Sequence, residues 1–269
     1  MKKLQFIDIG KPFRIIGKIC KDIERAFRFK GINVNFIVMM IDYIGFAFIL
    51  KWNLHTAFED CKSLIQDLTF NVFSVAMRKA HLETNELSMK AMKMIDYEGD
   101  YSNLALLLSD QCPFTIKLAI FTGKHDDLFV DRHEFSSSLI QQFEEAENFL
   151  DLLNKNKSVI KGFNRTDYRE YKVEDLREAL TNSIVHRDYT VKSSNIINVY
   201  NDRMVFMSQG GFIDGMDMDS MMIGISRPRN EHLADVFYKL GIVKSVGFGV
   251  KSICNSYNDC PKKPIFEIA

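Results

Sequence analysis

The stretch of the chain that could carry chemistry runs from Arg177 to Tyr189. Read as one helix, it places Glu178, Asn182 and His186 at positions i, i+4 and i+8, and therefore on one face. A carboxylate can act as a base on water, and an amide oxygen can bind Mg²⁺. The apolar residues of the stretch fall on roughly the opposite side and predict a buried face. The same spacing is also typical of an ordinary amphipathic helix with a solvated polar face.

The composition of the chain indicates a soluble globular protein with a real core. Of its 269 residues, 46% are hydrophobic and 26% are charged. Lys+Arg and Asp+Glu are equal at 35 each, so no net charge attracts the whole chain to nucleic acid or membrane. This balance does not exclude a local basic patch. The cysteines include no C-x-x-C pair, which argues against structural zinc and favours reduced thiols in a cytoplasmic protein. They are Cys20, Cys61, Cys112, Cys254 and Cys260.

The N-terminal part of the chain contains two apolar patterns. Residues 13–29 have apolar side chains at helical spacing with Lys and Arg between them, which predicts a basic amphipathic helix. The apolar run 36–50 is shorter than a membrane span and holds Asp42 near its centre, so it favours buried strands or a buried helix over a transmembrane helix. Asp8 and Gly10 interrupt the first apolar stretch and argue against a signal peptide.

The remainder of the chain reads as alternating helices and strands. Gly99 is expected in a turn with positive φ, and Ser136 is expected to cap the longest helix. Helices are predicted within 54–94, at 103–108, 137–153, from Val173 and at 231–240; strands at 114–121, 157–163, 168–171, 195–200, 204–207 and 265–268.

Several ordered motifs together resemble a known family. The first is Arg-Glu-Ala-Leu-x-Asn-x-Ile-Val-His-Arg-Asp-Tyr, followed by Ile-x-Val-Tyr-x-Asp-Arg, Ser-x-Gly-Gly, Leu-Ala-x-Val-Phe-x-Lys-Leu-Gly and Gly-x-Gly. This string, from about residue 66 to residue 268, resembles the Schlafen/AlbA-type, RecG-related family of transcriptional regulators. The C-terminal module of that family is similar to a compact, degenerate ATPase domain of the gyrase, chaperone, histidine-kinase and MutL (GHKL) type.

The resemblance implies a role for each polar residue of the helix and of a later lid region. Glu178 corresponds to the glutamate that polarises the attacking water, and Asn182 to the asparagine that holds Mg²⁺ while Mg²⁺ bridges the phosphates. His186 belongs to a family signature and is expected either to face the nucleotide or to cap the helix. Arg229 and Asn230 lie in the lid region and are expected to contact phosphate.

The resemblance also implies two glycine boxes at the nucleotide. Gly210 and Gly211 stand at the first box, where the lack of a Cβ lets the backbone approach the ligand. Gly247 and Gly249 stand at the second box, where N–H groups at a helix start bind phosphate. The adenine-reading pattern of better-studied members is Asp-x-Gly-x-Gly, and residues 208–211 read Ser-Gln-Gly-Gly, without that aspartate.

These observations lead to one fold prediction. We expect an α/β (α+β) chain whose C-terminal domain is a helix-on-sheet, GHKL/Bergerat-like fold. A helical linker region precedes this domain, and a divergent or truncated N-terminal segment, an AlbA-like remnant, comes first. The predicted boundaries are 1–62, 63–155 and 156–269.

Three functional hypotheses follow. The first is an ATP-binding domain, with or without weak hydrolysis, that uses ATP and Mg²⁺. The second is a DNA-binding regulator with a vestigial nucleotide pocket, and the third is a truncated, inactive copy. A helicase motor is excluded because the chain has no Gly-x-x-x-x-Gly-Lys-Ser/Thr loop. The expected partners are a nucleotide, DNA under the second hypothesis and a further copy of the chain, with no membrane partner.

Overall fold

The computed structural model describes residues 57–122, 129–161, 164–213, 215–225, 227–243, 249–260 and 262–268. Ala57–Ala269 form one compact unit. Three predictions lie outside the described residues: the basic helix 13–29, the apolar run 36–50 and the conformation of Gly247. The predicted boundaries at residues 62 and 155 stay predictions.

Within the described residues the chain forms eight α-helices and six strands, after a 3₁₀ turn at Phe58–Asp60. The helices are α1 (Asn71–Lys79), α2 (Glu86–Ala91), α3 (Asn103–Leu108), α4 (Leu139–Leu153), α5 (Val173–Val185), α6 (Met218–Ile223), α7 (Glu231–Lys239) and α8 (Gly249–Ser256). The strands are β1 (Ile116–Phe121), β2 (Phe129–Phe135), β3 (Asn156–Lys161), β4 (Asn164–Arg169), β5 (Asn195–Val199) and β6 (Met204–Met207).

Four strands form one mixed sheet in the order β2-β1-β5-β6. Strand β1 pairs antiparallel with β2 and parallel with β5, and β6 pairs antiparallel with β5. The parallel pair needs a long crossover, which α4, the separate hairpin β3–β4 and α5 supply. This arrangement confirms the predicted mixed α/β class.

One buried apolar cluster extends from Leu68 to Ile242 and includes the central strands and helix α5. Ile116, Leu118 and Ile197 of the parallel pair are almost fully buried, as are Leu180 and Ile184 of α5. The last two are four residues apart and therefore lie on one helix face. Burying this stripe turns the Glu178 side of the helix away from the sheet, as the sequence predicts.

The limits of several elements differ from prediction. Helix α5 ends at Val185, so residues 187–189 lie beyond it and His186 is its C-cap. The longest helix is capped by Ser138, whose hydroxyl accepts a hydrogen bond from the N–H of Ile140, and not by Ser136. Residues 265–268 form no strand. Residues 165–167, which separate the predicted strands 157–163 and 168–171, are part of strand β4.

Two elements were not predicted, strand β2 and helix α6. Strand β2 is mostly exposed and has no apolar alternation, and α6 buries none of its residues, so neither has a core signal. Other predictions are confirmed, including the helix at 103–108, the hairpin β5–β6 and the positive φ of Gly99. None of the described helices is long and apolar enough to cross a membrane.

Candidate functional site

Helix α5 turns a polar face toward helix α8. Asp175, Glu178 and Asn182 are spaced three and four residues apart, so they follow one stripe along α5. Glu178 and Asn182 are half-buried, whereas Asp175 is buried. The residues predicted to act on water and on Mg²⁺ are therefore shielded from bulk solvent, which strengthens electrostatic interactions at this face.

Gly249, the first residue of α8, lies directly against the carboxylate of Glu178. A Cβ at Gly249 would be 1.6 Å from Oε1 and 2.4 Å from Cδ of Glu178. No side chain fits there without moving the carboxylate. The tertiary structure thus brings together the predicted catalytic glutamate and one glycine of the second box, which are 71 positions apart by residue number.

The surroundings of Glu178 favour its protonated form. Burial raises the pKa of its carboxyl above the ordinary value; the Asn182 side chain opposes the shift and the charge of Asp175 adds to it. A carboxyl with a raised pKa is a stronger base once it is ionised. The local electrostatics are therefore compatible with proton transfer from water.

Asp175 holds the other end of α8, and it was not among the predicted site residues. Its carboxylate accepts a hydrogen bond from the hydroxyl of Ser256, the last residue of α8. The Lys172 ammonium donates to the carbonyl of Ser256 at 3.1 Å. Both ends of α8 thus contact α5. The spacing of Asp175 from Glu178 on one helical stripe is a sequence signal that could have identified it.

The first glycine pair packs against the segment that follows α5. Gly210 has a φ of +108°, and a Cβ there would lie 3.0 Å from Cβ and 3.3 Å from N of Asp188. The N–H of Asp188 donates to the carbonyl of Gln209 at 2.8 Å. A Cβ at Gly211 would make only an ordinary contact, 3.9 Å from Cγ2 of Ile268. Only Gly210 of this pair is therefore required to be glycine by its conformation.

Arg229 contacts both the first glycine pair and Asp188. Its Nη2 donates to the carbonyl of Gly211 at 3.0 Å, and its Nη1 lies 3.7 Å from Oδ2 of Asp188. Burial acts to raise the pKa of Asp188, but hydrogen bonds from Thr190 and the charge of Arg229 hold it below its ordinary value. Asp188 is thus ionised at neutral pH and partly neutralises the guanidinium.

The side chain of Asn230 makes hydrogen bonds within the protein. Its side chain is buried, and Nδ2 donates to the carbonyls of Val185 at 2.9 Å and of Arg187 at 2.8 Å. These bonds use both amide hydrogens, and they satisfy the carbonyl of Val185 at the end of α5 and that of Arg187 in the segment beyond it. The phosphate contact predicted for Asn230 stays a prediction, and this geometry leaves its amide no spare N–H.

His186 is the C-cap of α5 and comes between Asn182 and Asp188 in the chain. Burial and the nearby charge of Arg229 lower the pKa of its imidazole, so the ring is neutral at pH 7. The next residue, Arg187, is buried with its guanidinium 4.9 Å from the ring centre of Phe114 and 5.0 Å from that of Tyr189. In the signature His-Arg-Asp-Tyr, Arg187 is therefore a packing residue.

The structure assembles the predicted site residues into two groups, and His186, the C-cap of α5, follows the first of them in the chain. The group on α5 comprises Glu178 and Asn182 with Gly249, and the group beyond α5 comprises Gly210, Gly211 and Arg229 with Asn230. Asp175 is an addition that sequence reasoning missed, and Asp188, which the sequence marked only as part of the signature motif, is a second addition.

Comparison with known proteins supports an ATPase-like domain in this region. Residues 193–267 match the family model described as "Putative ATP-dependent DNA helicase recG C-terminal". The match includes both glycine pairs and the lid residues, and it begins after helix α5. Residues 193–267 are thus similar to an ATPase-like, RecG-related domain. No protein of curated function matches the chain.

A solved structure shares the fold. The crystal structure of the DIP2311 protein from Corynebacterium diphtheriae superposes with a TM-score of 0.62 at 24% sequence identity. The alignment covers 72% of this chain and 41% of that chain. This chain therefore spans less than half the length of that protein, and the likeness concerns the fold alone.

Proposed function

We propose that the ATPase-like domain binds ATP together with Mg²⁺ at the face between α5 and α8. The observation that carries the proposal is the contact between Gly249 and the Glu178 carboxylate. It joins a residue that can activate water to the start of a helix, where free N–H groups favour phosphate. The family match from residue 193 onward supports the same assignment.

The residues present fit a magnesium nucleotide. The donors on α5 are oxygens of an amide and a carboxylate, which are ligands that Mg²⁺ prefers. Two glycines, Gly210 and Gly249, occupy positions where a Cβ would crowd Asp188 and overlap Glu178, respectively. Asn182 would hold the ion through its amide oxygen, and Arg229 would offer positive charge to phosphate. When bound, Mg²⁺ neutralises charge on the phosphates.

Glu178 is assigned the role of general base. Its carboxylate would accept a proton from water as the water oxygen bonds to the γ-phosphorus of ATP, while the bond between that phosphorus and the β,γ-bridging oxygen breaks and ADP leaves. Its contact with Gly249 restricts the space beside the carboxylate, so a nucleotide must displace α8 or the side chain to reach it. We therefore propose weak hydrolysis, with binding as the main activity.

Calorimetric titration tests the binding proposal. ATP is titrated into the wild-type chain and Asn182→Ala, each with and without Mg²⁺. We expect wild type to gain about tenfold in affinity from Mg²⁺ and Asn182→Ala to lose that gain. Asn148→Ala, at an exposed asparagine in α4, is the matched control and should behave as wild type. Equal Mg²⁺ gains in wild type and Asn182→Ala would refute the role of Asn182, and no ATP binding by wild type would refute the proposed function.

A second comparison separates binding from hydrolysis. Glu178→Gln should retain ATP affinity and release at least about a hundredfold less phosphate per unit time than wild type. The control is Glu174→Gln, at an exposed glutamate in the first turn of the same helix. Equal phosphate release by wild type and Glu178→Gln would rule out Glu178 as the base.

A further inference from the structure

A buried carboxylate far from α7 in sequence binds the start of that helix. Glu59, in the 3₁₀ turn Phe58–Asp60, is 1% exposed. Its Oε1 accepts a hydrogen bond from the N–H of His232 at 2.8 Å, and its Oε2 accepts one from the N–H of Leu233 at 2.9 Å. Both N–H groups belong to the first turn of α7, where backbone donors lack partners within the helix.

Glu59 supplies a cap that α7 does not provide for itself. The N-cap residue is Asn230, and its side chain makes no capping hydrogen bond to α7 within the described residues. Its amide is engaged with the carbonyls of Val185 and Arg187 instead. A carboxylate at a helix N-terminus is also favoured by the helix dipole. Glu59 thus satisfies two donors and complements the dipole, while Asn230 holds the end of α5.

The neighbours of Glu59 in the 3₁₀ turn contact the same region. The ring of Phe58 stacks on that of Tyr189, with 6.1 Å between centroids and 28° between planes. Oδ1 of Asp60 lies 3.1 Å from Nε2 of His232. Three successive residues therefore contact either α7 or the segment after α5.

We propose that Glu59 is a positioning residue of the nucleotide site, acting through α7 and Arg229. Arg229 lies two residues before the first residue of α7 and reaches the carbonyl of Gly211. Fixing the first turn of α7 fixes the point from which this guanidinium extends. The inference rests on the proposed function, because its consequence is the geometry of Arg229 and Gly211 in a nucleotide site.

The variant Glu59→Gln tests the proposal. A glutamine is similar in size and keeps one acceptor oxygen, but it places an NH₂ group opposite one of the two N–H donors. The control is Glu231→Gln, an equivalent change at an exposed glutamate of the same helix turn. We expect Glu59→Gln to bind MgATP about tenfold more weakly, and Glu231→Gln to stay within about twofold of wild type.

Amide hydrogen exchange gives a readout that does not depend on the nucleotide. In Glu59→Gln the amides of residues 211 and 229–233 should exchange faster than in wild type, and those of α4 should not. Ser138→Ala controls for general destabilisation, because that buried cap belongs to α4 and its hydroxyl bonds Leu108 and Ile140. It should lower the unfolding temperature without changing ATP affinity or exchange at residue 211.

The outcomes separate the two claims. Unchanged MgATP affinity and unchanged exchange at 211 in a folded Glu59→Gln would overturn the positioning role. A parallel loss of affinity in Ser138→Ala would overturn it as well, since a merely structural effect would then suffice. If wild type binds no ATP, the proposed function fails, and exchange at 211 and 229–233 alone decides whether Glu59 positions Arg229.

Discussion

The Cα of Gly249 lies so close to the carboxylate of Glu178 that a methyl group there would sit 1.6 Å from Oε1. The two residues come from different helices, α8 and α5, whose other ends meet through Ser256 and Asp175. Hydrogen bonds fix the Ser256 end of α8 on α5, and the first residue of α8 packs against Glu178. This pair is therefore the geometric centre of the proposed site.

Gly249→Ala is expected to displace the Glu178 side chain without preventing folding, since the clashing atoms are at the end of a flexible side chain. We expect a loss of about 1–3 kcal/mol in the free energy of unfolding. Combining it with Glu178→Ala should remove most of that loss, because the clash then has no partner. Urea unfolding of both single variants and the double variant measures the coupling, and strict additivity would contradict the contact.

Gly210→Ala and Gly211→Ala should lower the stability of the protein by different amounts, although the two glycines are adjacent. Gly210 has a φ of +108°, and a Cβ there would lie 3.0 Å from Asp188, whereas a Cβ at Gly211 would have no contact closer than 3.9 Å. We expect Gly210→Ala to cost about 1–3 kcal/mol in stability and Gly211→Ala less than about 1 kcal/mol. Thermal unfolding of the two variants measures these losses. Equal losses of stability would show that position 210 does not require a glycine.

The raised pKa of Glu178 predicts a pH dependence of stability. In the folded state the pKa of its carboxyl lies above the ordinary value of 4.5. Its contribution is therefore fully present below about pH 4.5 and is lost as pH rises through the folded-state pKa. The neutral variant Glu178→Gln should lose less stability than wild type between about pH 4 and pH 8.

Urea unfolding across that pH range measures this effect. Glu174→Gln, at an exposed glutamate of the same helix, should follow the wild-type profile. Parallel profiles for wild type and Glu178→Gln would show that burial does not perturb the Glu178 carboxyl.

Arg187→Lys is expected to be severely destabilising. The buried guanidinium lies about equally close to the rings of Phe114 and Tyr189 and donates to the carbonyl of Ser193. A lysine cannot reproduce the planar stacking, and its ammonium is more costly to bury. We expect a loss of roughly 3 kcal/mol. Chemical unfolding measures it, with Arg227→Lys at an exposed arginine as the control; similar small losses in both would contradict a packing role.

The sequence predicted the elements that carry strong periodicity. The stripe of Leu180 and Ile184 specifies the buried side of α5, and alternation in β1 and β5 specifies strands buried on one face. The weakly patterned β2 and α6 were missed because their residues are mostly exposed. Helix ends were misplaced where packing sets them, as at Arg187, whose burial begins a new segment after α5.

By itself the sequence determined which face of α5 is polar and that Glu178 and Asn182 share it, because helical spacing is a local property. Only the tertiary structure decided that Gly249 meets Glu178, that Glu59 caps α7 and that Asn230 ends α5. These contacts join residues 45 to 173 positions apart. No local pattern encodes them, since they depend on how the helices pack on the sheet.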